Sequence, residues 1–269
     1  MMSETFVEYS VGSGWAAITL NRPEKRNAMT HEMAVEIGTL VQRADQDPDV
    51  AAILIRGRGS SFCAGFDLSG SAGRSTEPAA VQERISETIW TFHKIWSAAK
   101  PVVAQVQGAC VGGAFDLMLA CDLTICSDDA RLGVPEIQFW GGGTMYFSLP
   151  WIVGAKTAKY LLLTGIKVTA EQALNMQLVN EVVPLADLEA RVASVMNSLA
   201  ALPEGCLPPT KAAINRAYEL QGLVEGVRLG LDTCVLRRLI PGPARKAWEA
   251  EVAEVGVRAA VARRQHLFT

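Results

Sequence analysis

Two glycine-bearing segments, each directly after an apolar strand-like run, constrain this chain more than any other feature. The first, SFCAGFDL at 61–68, follows AAILIRG at 51–57. Its Ala64-Gly65-Phe66 turn lets the main chain approach a ligand with no bulky Cβ in the way. The second, VQGACVGGAFDLMLACD at 106–122, reads as a buried strand at 102–106, a turn from Gly108 to Gly113 and a helix over 114–120. Unpaired amides at a helix N-terminus attract negative charge. Together the segments suggest two backbone donors, the amides of Phe66 and Gly113, aimed at one acyl oxygen. Such donors stabilise an oxygen that becomes an enolate by about a few kcal/mol each.

Two carboxylates stand near this machinery. Asp116 lies three residues past Gly113, in the first turn of the same helix, so its side chain can reach a ligand at the helix N-terminus. Glu136 follows Pro135 in a turn after a strand centred on Leu132. Taken alone, an Asp in a first helical turn is commonly a dipole partner, and a Glu after a loop proline is commonly a solvated surface group. Asp67 reads as a turn-stabilising residue whose side chain binds local amides. His31, His93 and His266 are scattered and have no GxSxG-like partner motif. The glycine run at 141–143 lacks the context of a phosphate loop, and no spacing suggests a metal site. Phe139 and Trp140 could line an apolar pocket, although aromatic residues in such places are more often packing.

Along the chain, strands at 6–9, 15–20, 51–55, 102–106 and 123–126 alternate with helices at 31–45, capped by Thr30, and 81–98. From Ala155 onward the periodicity is almost wholly helical. The resulting α/β architecture is expected to divide near residue 200 into a 1–200 core domain and a 201–269 helical subdomain. The segment 69–80, rich in Gly, Ser and Pro, is a candidate lid. A chain of 269 residues, 49% of them hydrophobic, can bury one large core. The net charge of -3, with no basic cluster, argues against nucleic-acid partners. The N-terminal residues carry no positive n-region or apolar h-region, and the longest apolar stretch is broken by Gln105, Gln107, Asp116 and Asp122, so a cytoplasmic protein with no membrane span is expected. The six cysteines show no paired spacing and read as reduced core thiols.

These two segments, with NRPEKRNAM at 21–29 and VPEIQF at 134–139, resemble the crotonase (enoyl-CoA hydratase/isomerase) superfamily in order and spacing, over nearly the whole chain. The resemblance implies a ClpP/crotonase-like fold, with repeated ββα units in stacked sheets. It also implies a C-terminal helical subdomain that covers the active site and packs on neighbouring subunits, in a homotrimer or a dimer of trimers. It makes Asp116 and Glu136 the catalytic acids, and Phe66 and Gly113 the oxyanion donors. Lys25, Arg26 and the backbone of Ala64 become coenzyme A contacts, and Arg263 reaches the nucleotide from a neighbouring subunit. Coenzyme A would enter as part of an acyl-CoA substrate of fatty-acid β-oxidation type, with no permanently bound cofactor and no metal. The implied reaction is hydration of a 2-enoyl-CoA. The alternatives are an enoyl-CoA or dienoyl-CoA isomerase, or an acyl-CoA-binding homologue without catalysis. The chain departs from the hydratase pattern in carrying Asp116 where Glu is usual, and in a shorter stretch after Glu136. It also has the glycines 141–143 where dienoyl-CoA isomerases and dehalogenases place a further acid.

Overall fold

The computed structural model describes residues 6–68, 77–139, 147–240 and 242–265. The chain opens as a hairpin, β1 (Val7–Gly12) antiparallel to β2 (Trp15–Leu20), closed by a two-residue turn in which Ser13 and Gly14 both take positive φ, at 54° and 80°. That turn geometry matches the right-handed twist of paired strands. Helix α1 (His31–Gln46) starts on Thr30, whose hydroxyl accepts from the Met33 amide at 3.2 Å, a cap worth about 1 kcal/mol. β3 (Ala52–Gly57), α2 (Pro78–Ser97) and β4 (Val102–Val106) follow. Then come β5 (Ala109–Val111), α3 (Gly113–Ala120), β6 (Leu123–Ser127) and β7 (Arg131–Gly133). The rest is α4 (Leu149–Thr164), β8 (Lys167–Thr169), α5 (Ala170–Asn175), β9 (Glu181–Val183), α6 (Leu188–Ala200), α7 (Leu207–Leu220), α8 (Leu223–Leu239) and α9 (Pro243–Gln265).

The strands form a six-stranded sheet of order β1-β2-β3-β4-β6-β9, parallel from β2 onward, and a small sheet of order β5-β7-β8. Side chains alternate across a strand, and helices cover both faces of the large sheet, so its central strands are apolar at nearly every position. Ile53, Ile55, Val102 and Ala104 point into the main core with α1 and α2, while Ala52, Leu54 and Val103 meet Leu188, Val192 and Met196 of α6 on the other face.

Three readings of the sequence are corrected here. The expected turn from Gly108 to Gly113 contains β5, and the region after Ala155 contains β8 and β9 besides its helices. These strands are three residues long, too short to leave a period-2 signature. Among the cysteines, Cys206 is exposed, while the other five are buried free thiols. Of the candidate lid over 69–80, residues 69–76 lie outside the described residues, as do Trp140 and the glycines 141–143, while Pro78 to Ala80 are not loop but the first turn of α2.

The helices after residue 200 pack on the same core: Leu223, Val227 and Cys234 of α8 belong to it. Lys211 of α7 is 8% exposed and donates to Asp122 Oδ2 at 2.7 Å and to the Lys100 carbonyl at 3.1 Å. Helix α9 breaks at Gly256 (φ 79°, ψ 158°), and its second half brings Val257 and Val261 to a cavity of its own chain. The C-terminal helix thus contributes to the wall of this chain's own cavity.

Candidate active site

The hub of the site is Asn27, fully buried and in a left-handed backbone conformation (φ 55°). Its Nδ2 donates to the carbonyls of Arg58 and Ser61 at 2.9 and 2.8 Å, and its Oδ1 accepts from the Arg22 amide. This fastens NRPEKRNAM to the loop after β3. Next, Met29 bridges the 61–68 segment: its amide donates to the Gly65 carbonyl and its carbonyl accepts from the Asp67 amide, both at 2.8 Å. Amides alternate in direction along an extended chain, so the Phe66 N–H between these two bonds faces away from Met29.

Gly65 (φ +88°) sets the second donor opposite the first. A Cβ there would sit 2.7 Å from the Val111 carbonyl and 3.6 Å from the Gly113 amide nitrogen, so only glycine lets the two segments close together. At the start of α3 the Gly112 carbonyl accepts from the Phe115 and Asp116 amides. The Gly113 N–H, like that of Phe66, has no hydrogen-bond partner among the described residues. The Phe66 ring lies against the Cα of Gly113.

Glu136 sits in a 3₁₀ turn, Pro135–Gln138, directly after β7. β7 pairs in parallel with β5, and the Gly112 amide donates to the Gly133 carbonyl at 2.9 Å, so the acid is delivered to the N-terminus of α3. Its carboxyl occupies the place of a Gly112 side chain: a Cβ there would lie 3.0 Å from the Glu136 Cδ. Oε2 is buried without a hydrogen-bond partner among the described residues. Burial pushes the Glu136 pKa up to about 7, against smaller opposing effects of its own backbone amide and of Arg237. Asp116 is 1% exposed in the first turn of α3.

Both carboxylates line one cavity of about 660 Å³ together with Phe66 and Gly113. Phe139, Val257 and Val261 supply apolar wall, and Phe139 stacks on Trp248 of α9 at 5.2 Å. Arg264 holds α9 in place: it pairs with Glu251 at 2.8 Å, lies over Trp248 and donates to the Phe139 carbonyl. Of the residues expected from the sequence, Lys25, Arg26 and Ala64 also line the cavity. Arg263 is exposed on α9 and is not part of the wall.

Asp67 does not act only on local amides, because its Oδ2 accepts from both Nη atoms of Arg22, at 3.1 and 3.2 Å. His31 pairs with Glu87 at 2.8 Å, away from the cavity. No group of His, Cys, Asp and Glu among the described residues could hold a metal ion. No described helix is long and apolar enough to cross a membrane. The sequence reading missed four cationic wall residues, Arg131, Lys167, Arg237 and Arg238. It also missed Cys234, whose thiol is pushed up to about 11 by burial and the nearby Asp116 charge. Arg237 continues the inward i+3 spacing of α8 from Cys234, a signal that can be read only once Cys234 is known to point inward.

The solved structure of an enoyl-CoA hydratase/isomerase from Xanthobacter autotrophicus Py2 matches with a TM-score of 0.94 at 36% identity, covering 98% of this chain and 99% of that one. The architecture is therefore the crotonase fold. The family model described as enoyl-CoA hydratase/isomerase matches residues 10–234, and the chain belongs to that family. A putative enoyl-CoA hydratase of Thermus thermophilus is 36% identical over 217 residues, covering 80% of this chain and 85% of the relative. A peroxisomal Delta(3,5)-Delta(2,4)-dienoyl-CoA isomerase of Arabidopsis thaliana is 31% identical over 229 residues, covering 80% of each.

Proposed function

We propose that this protein hydrates 2-enoyl-CoA thioesters, with Glu136 and Asp116 as the proton-transfer pair. The reading rests on one observation above all: a glutamate with a buried, unpartnered oxygen shares a cavity with a second, buried carboxylate and two unpaired backbone amides.

In this reading the thioester oxygen accepts from the Phe66 and Gly113 N–H groups, which strengthen their hold as enolate charge develops. Water adds through its oxygen to C3 and gives up a proton to Asp116. Glu136, held as the acid up to about pH 7 by its burial, delivers a proton to C2 as the enolate collapses. Two carboxyl groups thus take one proton and give one, which leaves the pair in balance with the product. Lys25 and Arg26, with Arg131 and Lys167 lining the same cavity, offer cations for the coenzyme A phosphates, and the backbone of Ala64 offers a contact for the adenine. A trimer would add Arg263 of a neighbouring copy, which fits its exposure here.

Loss of the enoyl-thioester absorbance of crotonyl-CoA tests the proposal. We expect turnover in the wild type and a drop of about 10²-fold or more in Glu136→Gln, as for loss of a positioned acid. Oxygen-labelled water separates hydration from isomerisation, which the similarity to a dienoyl-CoA isomerase keeps in view: hydration places the label on the product, and isomerisation only exchanges protons. Unlabelled product formed by an active wild type would overturn the hydratase reading.

A further inference from the structure

Oε2 of Glu136 has no hydrogen-bond partner among the described residues, so the 3₁₀ turn beneath it has to fix where the carboxyl points. Two distant elements hold that turn. On one side Gln138 Nε2 donates to the carbonyls of Thr164 and Gly165, at the C-terminal end of α4, at 3.0 and 2.9 Å. On the other, the Phe139 amide donates back to the Glu136 carbonyl at 3.2 Å, and the Phe139 carbonyl accepts from Nη1 of Arg264 in α9, 125 positions away.

The same guanidinium spans the break in α9. Glu251 precedes Gly256 and Arg264 follows it, yet Nε and Nη2 of Arg264 meet Glu251 Oε2 at 2.9 and 2.8 Å. A straight helix brings together side chains three or four positions apart, so this contact across 13 positions exists because the chain turns at Gly256. The planar fork thus aims two nitrogens at one carboxylate and the third at the Phe139 carbonyl, which an ammonium does not reproduce. The segment it holds down also carries Val257 and Val261 of the cavity wall.

We infer that Arg264 is a positioning residue: by holding the Phe139 carbonyl it fixes the turn that aims the Glu136 carboxyl into the cavity. Arg264 itself is not part of the cavity wall. The inference rests on the reading of Glu136 as the proton donor, and it goes beyond that reading by tying the acid to the C-terminal helix.

Steady-state hydration of crotonyl-CoA tests it. Arg264→Met alone would strand the Glu251 carboxylate, so the variant of choice is Arg264→Met with Glu251→Leu, which removes both charges together. Its kcat should fall about 10- to 100-fold, the scale of a reacting group displaced by up to about 1 Å. Arg264→Lys, which keeps a cation beside Glu251, should show a smaller loss of the same kind and carries the test if the paired variant does not fold. In a Glu136→Gln background the paired change should alter kcat by less than about 3-fold, because the displaced group no longer moves a proton. A rise in KM with kcat unchanged would make Arg264 a clamp on α9 alone and overturn the inference. A kcat loss that persists in full without Glu136 would overturn it too.

If the wild type does not hydrate crotonyl-CoA, the proton-donor reading is the one that fails, and amide hydrogen exchange decides the positioning. The Phe139 amide should exchange about 10-fold or more faster in the paired variant, with the β4 amides unchanged. Phe139 protection equal to that of the wild type would overturn the inference.

Discussion

Gly112→Ala makes a sharp probe of the site, because the position is glycine for two separable reasons. Its backbone sits at φ 60°, ψ -126°, a region that L side chains avoid at a cost of about 1–3 kcal/mol. Its added Cβ would also lie 2.0 Å from Glu136 Oε1. Real Cβ atoms essentially never come within 3.0 Å of such an atom, so the carboxyl must retreat by at least the difference, about 1 Å. A misplacement of that size costs about 10²-fold in a positioned reaction.

We therefore expect a folded variant with a midpoint of thermal unfolding a few degrees lower. Its kcat on an enoyl-CoA should be about 10²-fold down. The two effects separate in a double-mutant cycle. In a Glu136→Gln background the same glycine change should keep its stability cost but lose most of its effect on kcat, since the group it displaces no longer transfers a proton. A folded Gly112→Ala with kcat within about 3-fold of wild type would refute the assignment of Glu136, and so would full additivity of the two rate effects.

Two further expectations concern charge. The Glu136 pKa is raised from 4.5 to about 7 in the folded chain, so between those values the folded state holds a proton that the unfolded state releases. Stability then falls as pH rises through that window, by an upper bound of about 3 kcal/mol. Glu136→Gln should accordingly melt higher than wild type at pH 8 and no higher near pH 4, and the kcat/KM for hydration should decline above about pH 7 as the acid form is lost. A pH-independent gap in melting temperature would contradict this. Separately, Lys211→Met leaves the Asp122 carboxylate, only 17% exposed, without its cation. It should cost about 3–5 kcal/mol in urea unfolding near neutral pH, and a loss under about 1 kcal/mol would show that the pair is not needed.

Much of the site could be read from the chain because it is built by local rules. A glycine turn after an apolar strand, a helix opening on two glycines and an Asp in its first turn are each fixed within a few residues, and all of them line the same cavity. What escaped the reading depends on distant partners. Asp67 looked like a turn residue because its contact with Arg22 spans 45 positions. Glu136 looked like a surface carboxylate, since its burial comes from a strand pairing between β5 and β7 that three-residue strands do not announce. Asn27, inside a polar run, gives no sign that it is the buried tie between two segments. Arg237 sits on a helix whose polar and apolar residues are too mixed to reveal a face until Cys234 is known to point inward.

Because the two amides proposed to hold the acyl oxygen belong to the main chain, no codon specifies them. Replacing Phe66 with any residue except proline leaves its N–H in place, so an alanine scan of this protein would pass over the donors and report only the acids. Such a centre can change its chemistry by exchanging carboxylates around it without dismantling the part that holds the charge. It is exposed to loss instead at Gly65, where a single methyl group would push the two segments apart.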